Sequence, residues 1–173
     1  MQSLKELILD SQTNPLFTGV PRQLEITSLP KKASIIIGVR RCGKSTLLNQ
    51  IASRLKTEGI STENFLFINF FDERLSNLKT EGLNKVTEAY YMLYPEKKNS
   101  EKIYCFFDEI QIIPDWEKFV DRMLRTENCE IYITGSSAKM LSKEIATQMR
   151  GRSLSWELFP FSFDEFLKSS NIK

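Results

Sequence analysis

Short apolar runs alternate along the chain with segments of helical period. Five of these runs are rich in β-branched and aromatic residues and predict buried strands at residues 34–37, 65–70, 103–107, 131–134 and 153–158. Between them, apolar residues recur every three or four positions, which is typical of helices that cover a sheet. The alternation predicts an α/β fold in three layers, with a five-stranded, mostly parallel central sheet flanked by helices.

The segments between the predicted strands carry the helical pattern. The clearest is a stripe of apolar residues that we expect to pack against the sheet, formed by Trp116, Phe119, Val120, Met123 and Leu124. Further helices are predicted at residues 47–55, 83–93, 138–149 and 161–167. The first 22 residues are interrupted by proline and glycine, so we predict an irregular lead-in with one helix near residues 3–9.

The turn after the first predicted strand carries a phosphate-binding motif. Residues 38–45, the phosphate loop, match G-x-x-x-x-G-K-[ST] at every fixed position. Gly38 and Gly43 permit a tight turn whose amides point at phosphate oxygens. Lys44 supplies a cation to the β- and γ-phosphates, and the Ser45 hydroxyl is offered to Mg²⁺. We therefore expect nucleotide to be bound by Gly38, Arg41, Cys42, Gly43, Lys44, Ser45 and Thr46.

A second acidic element follows the third predicted strand. Residues 103–107 are apolar throughout and end in the adjacent carboxylates Asp108 and Glu109. In P-loop proteins the first acid holds Mg²⁺, and the second activates the water that attacks the γ-phosphate. We therefore predict Asp108 as a metal ligand and Glu109 as the general base.

The motifs favour ATP over GTP. Regulatory GTPases read guanine through Asn-Lys-x-Asp, and the candidate at residues 84–87, NKVT, lacks the acid. The leading hypothesis is a Mg²⁺-dependent ATPase that changes shape as it hydrolyses ATP. One alternative is a nucleotide-gated ATP/ADP switch that signals to a partner or to DNA with negligible turnover. A small-molecule kinase is less favoured, because its second substrate pocket and arginine-bearing lid are not identified in the sequence.

Composition excludes several other classes of protein. The absence of histidine excludes histidine-based catalysis and metal ligation, and the net charge of +2 is too small to indicate nucleic-acid binding. Three scattered cysteines favour a reducing compartment. The sequence shows no signal peptide and no apolar run of membrane-spanning length, so we expect a cytoplasmic protein without membrane contact.

Beyond these motifs, the chain resembles prokaryotic AAA-type ATPase domains related to the signal-transduction ATPases of the AAA superfamily. The resemblance runs from residue 23 to residue 167. It rests on IIIGVRRCGKST, FLFINFFDERL, FFDEIQIIPDWEKFVDRML and IYITGSSAKMLSKEIATQMRGRSLSWELFPFSFDEFL. It implies a P-loop NTPase sandwich with an AAA-type ATPase domain at residues 23–173, preceded by the lead-in at residues 1–22.

The resemblance also implies parts that we do not expect within these 173 residues. Longer relatives continue into a helical lid, a winged-helix-like segment and often a nuclease-like C-terminal domain. Without the lid, we expect weak nucleotide binding and slow turnover. Any contact with nucleic acid is expected only through the missing C-terminal region.

Further site residues follow from the resemblance alone. In such proteins a polar residue at the tip of the fourth strand senses the γ-phosphate; Thr134 or Ser136 fills this place, and Ser136 is preferred. Asn69 is placed like the residue that restrains the catalytic glutamate until a partner or ligand binds. Arg150 and Arg152 are candidates for an arginine finger that acts on a neighbouring subunit's nucleotide, which implies a homo-oligomer.

Overall fold

A parallel sheet forms the centre of the molecule. The computed structural model describes residues 1–136, 149 and 151–169. Its strands are β1 (Ala33–Gly38), β2 (Phe65–Asn69), β3 (Ile103–Asp108), β4 (Cys129–Ser136) and β5 (Ser153–Glu157). They lie in the order β2-β3-β4-β1-β5, and each neighbouring pair is parallel. The predicted α/β fold with a five-stranded sheet is confirmed.

Helices lie before, between and after these strands. The described helices are α1 (Gln2–Thr13), α2 (Lys44–Thr57), α3 (Leu78–Glu81), α4 (Asn84–Leu93), α5 (Trp116–Thr126) and α6 (Phe163–Ser169). Short 3-10 turns occupy Thr62–Asn64, Glu73–Leu75, Pro95–Lys97 and Ile110–Ile112. The helix predicted at residues 138–149 lies outside the described residues, apart from Met149. Over the described part of the chain, no helix has the length and apolar character needed to cross a membrane.

The first helix is longer than the sequence pattern predicts. Its apolar residues Leu4 and Ile8 are one turn apart, and both are buried in the core that includes β2. The helix continues to Thr13, and Asn14 is extended, as the residue before a proline prefers to be. Pro15 therefore ends α1 four residues later than the apolar periodicity indicates.

Two hydrophobic layers cover the sheet. The buried strand β1 alternates between them, because Ile35 and Ile37 face the layer that contains α1, α4 and α5, whereas Ile36 faces the layer under α2. The apolar stripe of α5 is buried in the first layer, at Trp116, Phe119, Val120, Met123 and Leu124. Helices therefore lie on both faces of the sheet.

The strand register gathers polar residues at one edge of the sheet. Gly38, which ends β1, lies opposite Ser136 of β4, and Asn69, which ends β2, lies opposite Asp108 of β3. The carboxyl ends of parallel strands share one edge, and ligand sites in open α/β sheets form there. This edge also contains the phosphate loop.

Candidate nucleotide-binding site

Two glycines shape the phosphate loop between β1 and α2. Gly43 has a φ of +96° and caps α2, and Arg41 before it also has a positive φ, of +63°. A Cβ atom on Gly38 would stand 2.4 Å from the carbonyl oxygen of Leu158 and 2.7 Å from Sγ of Cys42. Side chains at either glycine would therefore force the loop to move.

The side chain of Lys44 turns back into the phosphate loop. Its Nζ donates hydrogen bonds to the carbonyl oxygens of Gly38, at 3.2 Å, and Val39, at 3.0 Å. The residue is only 5% exposed, and its ammonium lies 3.9 Å from Oε1 of Glu109. This ammonium and the N-terminus of the 14-residue helix α2 create a positive potential that suits phosphate.

A cavity of about 430 Å³ opens beside the loop and is lined by Arg40, Arg41 and Glu109. Ser45 is exposed and Thr46 half-buried at the start of α2. The side chain of Cys42 is instead buried in the core layer under α2. Cys42 therefore contributes its backbone to the loop and its thiol to the packing beneath it.

Asp108 is buried at the end of β3 and lies among hydroxyl groups. Burial raises its pKa; hydrogen bonds from Thr134 and Ser45 and the charge of Lys44 act the other way without cancelling the rise. A carboxylate and a hydroxyl side by side are the hard oxygen donors that Mg²⁺ takes, usually with phosphate oxygens and water as its other ligands. The described residues contain no cluster of three or more acidic or cysteine side chains that could hold a metal alone. Asp108 and Ser45 therefore fit a nucleotide-bound Mg²⁺.

Glu109 follows Asp108 in a left-handed conformation, with φ of +57°. Its N–H donates to Oγ1 of Thr134 at 3.0 Å, and its Oε2 accepts a short hydrogen bond from Nε2 of Gln111. The side-chain oxygen of Gln111 is buried and has no hydrogen-bond partner among the described residues. The unusual backbone and these contacts aim the carboxylate at Lys44 and the loop.

Thr134 and Ser136, the two candidates for phosphate sensing, occupy different positions. Thr134 is fully buried, and its hydroxyl donates to Asp108 while it accepts from the Glu109 N–H. It therefore positions the two carboxylates. Ser136 ends β4 opposite Gly38, and its side chain lies outside the described residues. Its preferred role as the sensor stays a prediction.

The other residues inferred from family resemblance are not placed alike: Asn69 ends β2 opposite Asp108, at the same edge of the sheet as the site, whereas Arg152 lies away from it. Asn69 is exposed, and its Oδ1 accepts from the N–H of Phe71 at 2.9 Å. Arg152 precedes β5, at the opposite edge of the sheet, and pairs with Asp121 of α5 at 2.8 Å. Arg150 lies outside the described residues. The restraining role of Asn69 and the action of either arginine on a neighbouring subunit stay predictions.

Sequence reasoning missed two features of the site. Gln111 stands two residues beyond the paired acids, and an amide so close to Glu109 is a signal that could have been used. Arg22 is the second: its Nη1 donates to the carbonyl oxygen of Cys42 at 2.5 Å. The sequence separation of 20 residues carries no pattern, so only the fold shows that the lead-in reaches the phosphate loop.

Comparisons with known proteins give the wider relationship. Residues 30–167 match a family model described as an AAA domain. The chain is 43% identical over 168 residues to an uncharacterized protein of Methanocaldococcus jannaschii, covering 96% of this chain and 35% of that protein. It is 40% identical over 140 residues to an uncharacterized protein of Haemophilus influenzae, covering 80% and 34%. The chain thus spans about a third of the length of these curated relatives.

A solved structure provides an independent comparison of the fold. The structure of PCH-2 from C. elegans is similar with a TM-score of 0.53 and 16% sequence identity, covering 99% of this chain and 45% of that chain. At this level of identity the likeness concerns the fold alone.

Proposed function

The chain belongs to the AAA domain family, whose members are nucleotide-binding domains of the ATPase type, and on that premise we propose that it binds ATP with Mg²⁺ and hydrolyses it. The observation that supports this proposal best is the convergence of Lys44, Asp108 and Glu109. Lys44 begins α2 after the phosphate loop, and the two acids stand at the end of β3, yet the Lys44 ammonium lies 3.9 Å from the Glu109 carboxylate.

Binding rests on the phosphate loop. Its amides and the N-terminus of α2 offer donors and positive potential to the phosphates of ATP. Lys44 adds a full positive charge, held in place by the carbonyl oxygens of Gly38 and Val39. Ser45 and Asp108 would hold Mg²⁺, which neutralises charge on the phosphate oxygens when it is bound.

Hydrolysis rests on Glu109. Its carboxylate accepts the proton of a water whose oxygen attacks the γ-phosphorus, while the bond to the bridging oxygen breaks and ADP leaves. Thr134 and Gln111 hold this glutamate from both ends, at its N–H and at its Oε2. These two hydrogen bonds fix the orientation of the general base, whereas an isolated surface glutamate has no such support.

Nucleotide titration with phosphate release in the same samples tests this proposal. We expect fluorescent ATP and ADP analogues to bind more tightly than a GTP analogue, with Mg²⁺ strengthening binding, and slow release of phosphate from ATP. Lys44→Ala should abolish binding, whereas Lys56→Ala, at an exposed lysine in the last turn of the same helix, should leave it unchanged.

The outcomes separate the candidate functions. ATP binding without phosphate release would favour the nucleotide-gated switch over the ATPase. Failure of the wild-type protein to bind any nucleotide, or equal binding by Lys44→Ala, would contradict the proposed site.

A further inference from the structure

Arg22 connects three segments of the chain that are far apart in sequence. Its side chain is 3% exposed. The guanidinium donates to the carbonyl oxygen of Cys42 in the phosphate loop and to that of Phe159 after β5, both at 2.5 Å. Its Nε donates to Oε1 of Glu165 at 3.0 Å, and the group lies over the ring of Phe161 at 5.0 Å. Each of its three nitrogen atoms therefore donates a hydrogen bond within the protein.

Glu165 holds the other end of this contact on α6. Its Oε1 also accepts from the N–H of Gln23 at 2.7 Å, and its Oε2 accepts from the N–H of Ser162 at 2.9 Å. The Ser162 hydroxyl in turn accepts from the N–H of Glu165 at 3.2 Å, which completes a capping box. Glu165 thus fixes the start of α6 and the orientation of Arg22 together.

The contact at Cys42 determines how one peptide of the phosphate loop faces. In a trans peptide the carbonyl oxygen and the following N–H point in opposite directions. The Cys42 oxygen points at Arg22, so the N–H of Gly43 points away from it. Nη1 of Arg22 lies only 3.1 Å from the position that a Cβ atom on Gly43 would occupy. The guanidinium therefore packs directly against the backbone of the phosphate loop.

We propose that Arg22 is a positioning residue of the nucleotide site, which orients the Cys42–Gly43 peptide for phosphate and, through Glu165, couples nucleotide binding to α6. This inference rests on the proposed nucleotide binding and adds a residue pair to it. A buried ion pair is weak evidence for stability, because desolvation offsets its attraction, whereas a role in specifying one geometry is a better-attested use. Coupling of this kind is reciprocal, so bound nucleotide must also stabilise α6.

The affinity of Mg²⁺-ATP tests the positioning role. We expect Arg22→Ala to raise the dissociation constant about tenfold or more, since the 42–43 peptide loses its anchor. Arg22→Lys keeps the charge but not the planar fork that reaches both carbonyls and Glu165, so its loss should be smaller. Each affinity is measured at a temperature where circular dichroism shows the variant to be folded.

Lys97→Met is the matched control. Lys97 is also a buried cation, 5% exposed, and its Nζ bonds to Oδ1 of Asn64 at 2.9 Å, next to the start of β2 and away from the phosphate loop. The Lys97→Met substitution should lower the melting temperature of the protein without changing its affinity for nucleotide. If Lys97→Met weakens binding as much as Arg22→Ala does, general destabilisation explains both and the positioning role is wrong.

Hydrogen exchange tests the coupling to α6. Saturating Mg²⁺-ATP should slow exchange of the amides of α6 in the wild type, and this slowing should disappear in Glu165→Gln at equal saturation. Arg22→Lys, which keeps the charge but not the planar fork, should retain only part of this slowing. Protection of α6 that is independent of nucleotide in the wild type would overturn the coupling.

The result for the wild type distinguishes the two proposals. If wild-type protein binds ATP, Lys44→Ala does not, and Arg22→Ala binds as the wild type does, the nucleotide site stands and the role of Arg22 is wrong. If the wild type binds no nucleotide, the proposed function fails and this inference fails with it.

Discussion

Two buried lysines lie at opposite edges of the sheet, and they differ in what surrounds them. Lys44 and Lys97 are each 5% exposed. The Nζ of Lys97 lies 3.0 Å from a carboxylate oxygen of Glu101 and bonds to the amide oxygen of Asn64. The Nζ of Lys44 bonds to two carbonyl oxygens, and among the described residues the carboxylate within 4.0 Å is that of Glu109, at 3.9 Å.

The difference shows how a structural cation can be told from a binding one. A buried charge is costly unless it is paired. Lys97 is paired by its own protein at hydrogen-bonding distance, so it needs no ligand. Lys44 is held by main-chain dipoles and has no such partner among the residues that the structure describes, and it stands beside a cavity. Its charge is therefore available to an anion, which agrees with the proposed binding of phosphate.

Removing the carboxylates beside the two lysines gives the largest contrast. We expect Glu109→Gln to lower the rate of ATP hydrolysis by about 10²–10⁴-fold, the usual contribution of a general base, with little change in ATP affinity. Glu101→Gln removes the corresponding carboxylate from the Lys97 cluster and should leave the rate unchanged. Steady-state phosphate release measures both. Equal rates for wild type and Glu109→Gln would remove Glu109 as the base.

Replacing the lysines themselves should separate affinity from stability. Lys44→Met removes the same ammonium as Lys44→Ala and is expected to weaken ATP binding by at least about 100-fold, or ~2.7 kcal/mol, while the domain remains folded. In Lys97→Met the side chains of Asn64 and Glu101 lose the ammonium but can hydrogen-bond to water instead. We therefore expect this variant to lower the free energy of unfolding by about 1–2 kcal/mol and to leave the affinity for ATP unchanged. Fluorescence titration and urea denaturation give the two quantities.

The comparison also shows what the sequence could reveal. Lys44, Asp108 and Glu109 were predictable because the motif spacing and the apolar strand before each motif determine where these residues stand. The roles of Lys97 and Arg22 were not, because each depends on a partner far away in sequence: Lys97 bonds to Asn64, 33 residues away, and Arg22 and Glu165 are 143 residues apart. The contact between them depends on how the lead-in crosses α2, and no local periodicity encodes that path.

Local pattern also gave an incomplete account of the elements themselves. The parallel sheet and the stripe of α5 followed from apolar periodicity. The end of α1 did not, since it depends on Pro15 and on burial against β2 more than on its apolar residues. Thr134 is a similar case, because a threonine in a buried strand gives no sign that its hydroxyl joins the acid that ends β3 to the acid that follows it.

A smaller effect on turnover than that of Glu109→Gln is expected at the hydroxyl that joins the two acids. Thr134→Val leaves an oxygen of Asp108 and the N–H of Glu109 without their partner, which costs about 1–3 kcal/mol in stability. We expect turnover to fall as well, since Glu109 loses its support. Thr87→Val is the control, because Thr87 is also buried but its hydroxyl bonds within α4, to the Asn84 carbonyl. A loss of turnover in both variants would contradict the positioning role of Thr134.

The smallest expected effect is a dependence of stability on pH at Glu165. Burial raises the pKa of this carboxyl, but the N–H of Gln23, the Arg22 guanidinium and the N–H of Ser162 together outweigh burial and leave the pKa lowered. A lowered pKa in the folded state means that Glu165 contributes stability above its unfolded pKa and loses it as pH falls through the folded one. Urea unfolding of the wild type should therefore become easier as pH falls below the ordinary carboxyl pKa of 4.5, by more than that of Glu165→Gln, which cannot titrate. Glu101→Gln, at the exposed carboxylate beside Lys97, is the control: hydrogen bonds from Asn64 and Lys97 lower the pKa of Glu101, so its acid sensitivity should also fall, but its ATP affinity should not change. ATP affinity in Glu165→Gln should instead be reduced a fewfold already at pH 7, because the altered partner no longer holds Arg22 against the phosphate loop. Identical acid sensitivity of Glu165→Gln and the wild type would show that Glu165 is not held ionised by these contacts.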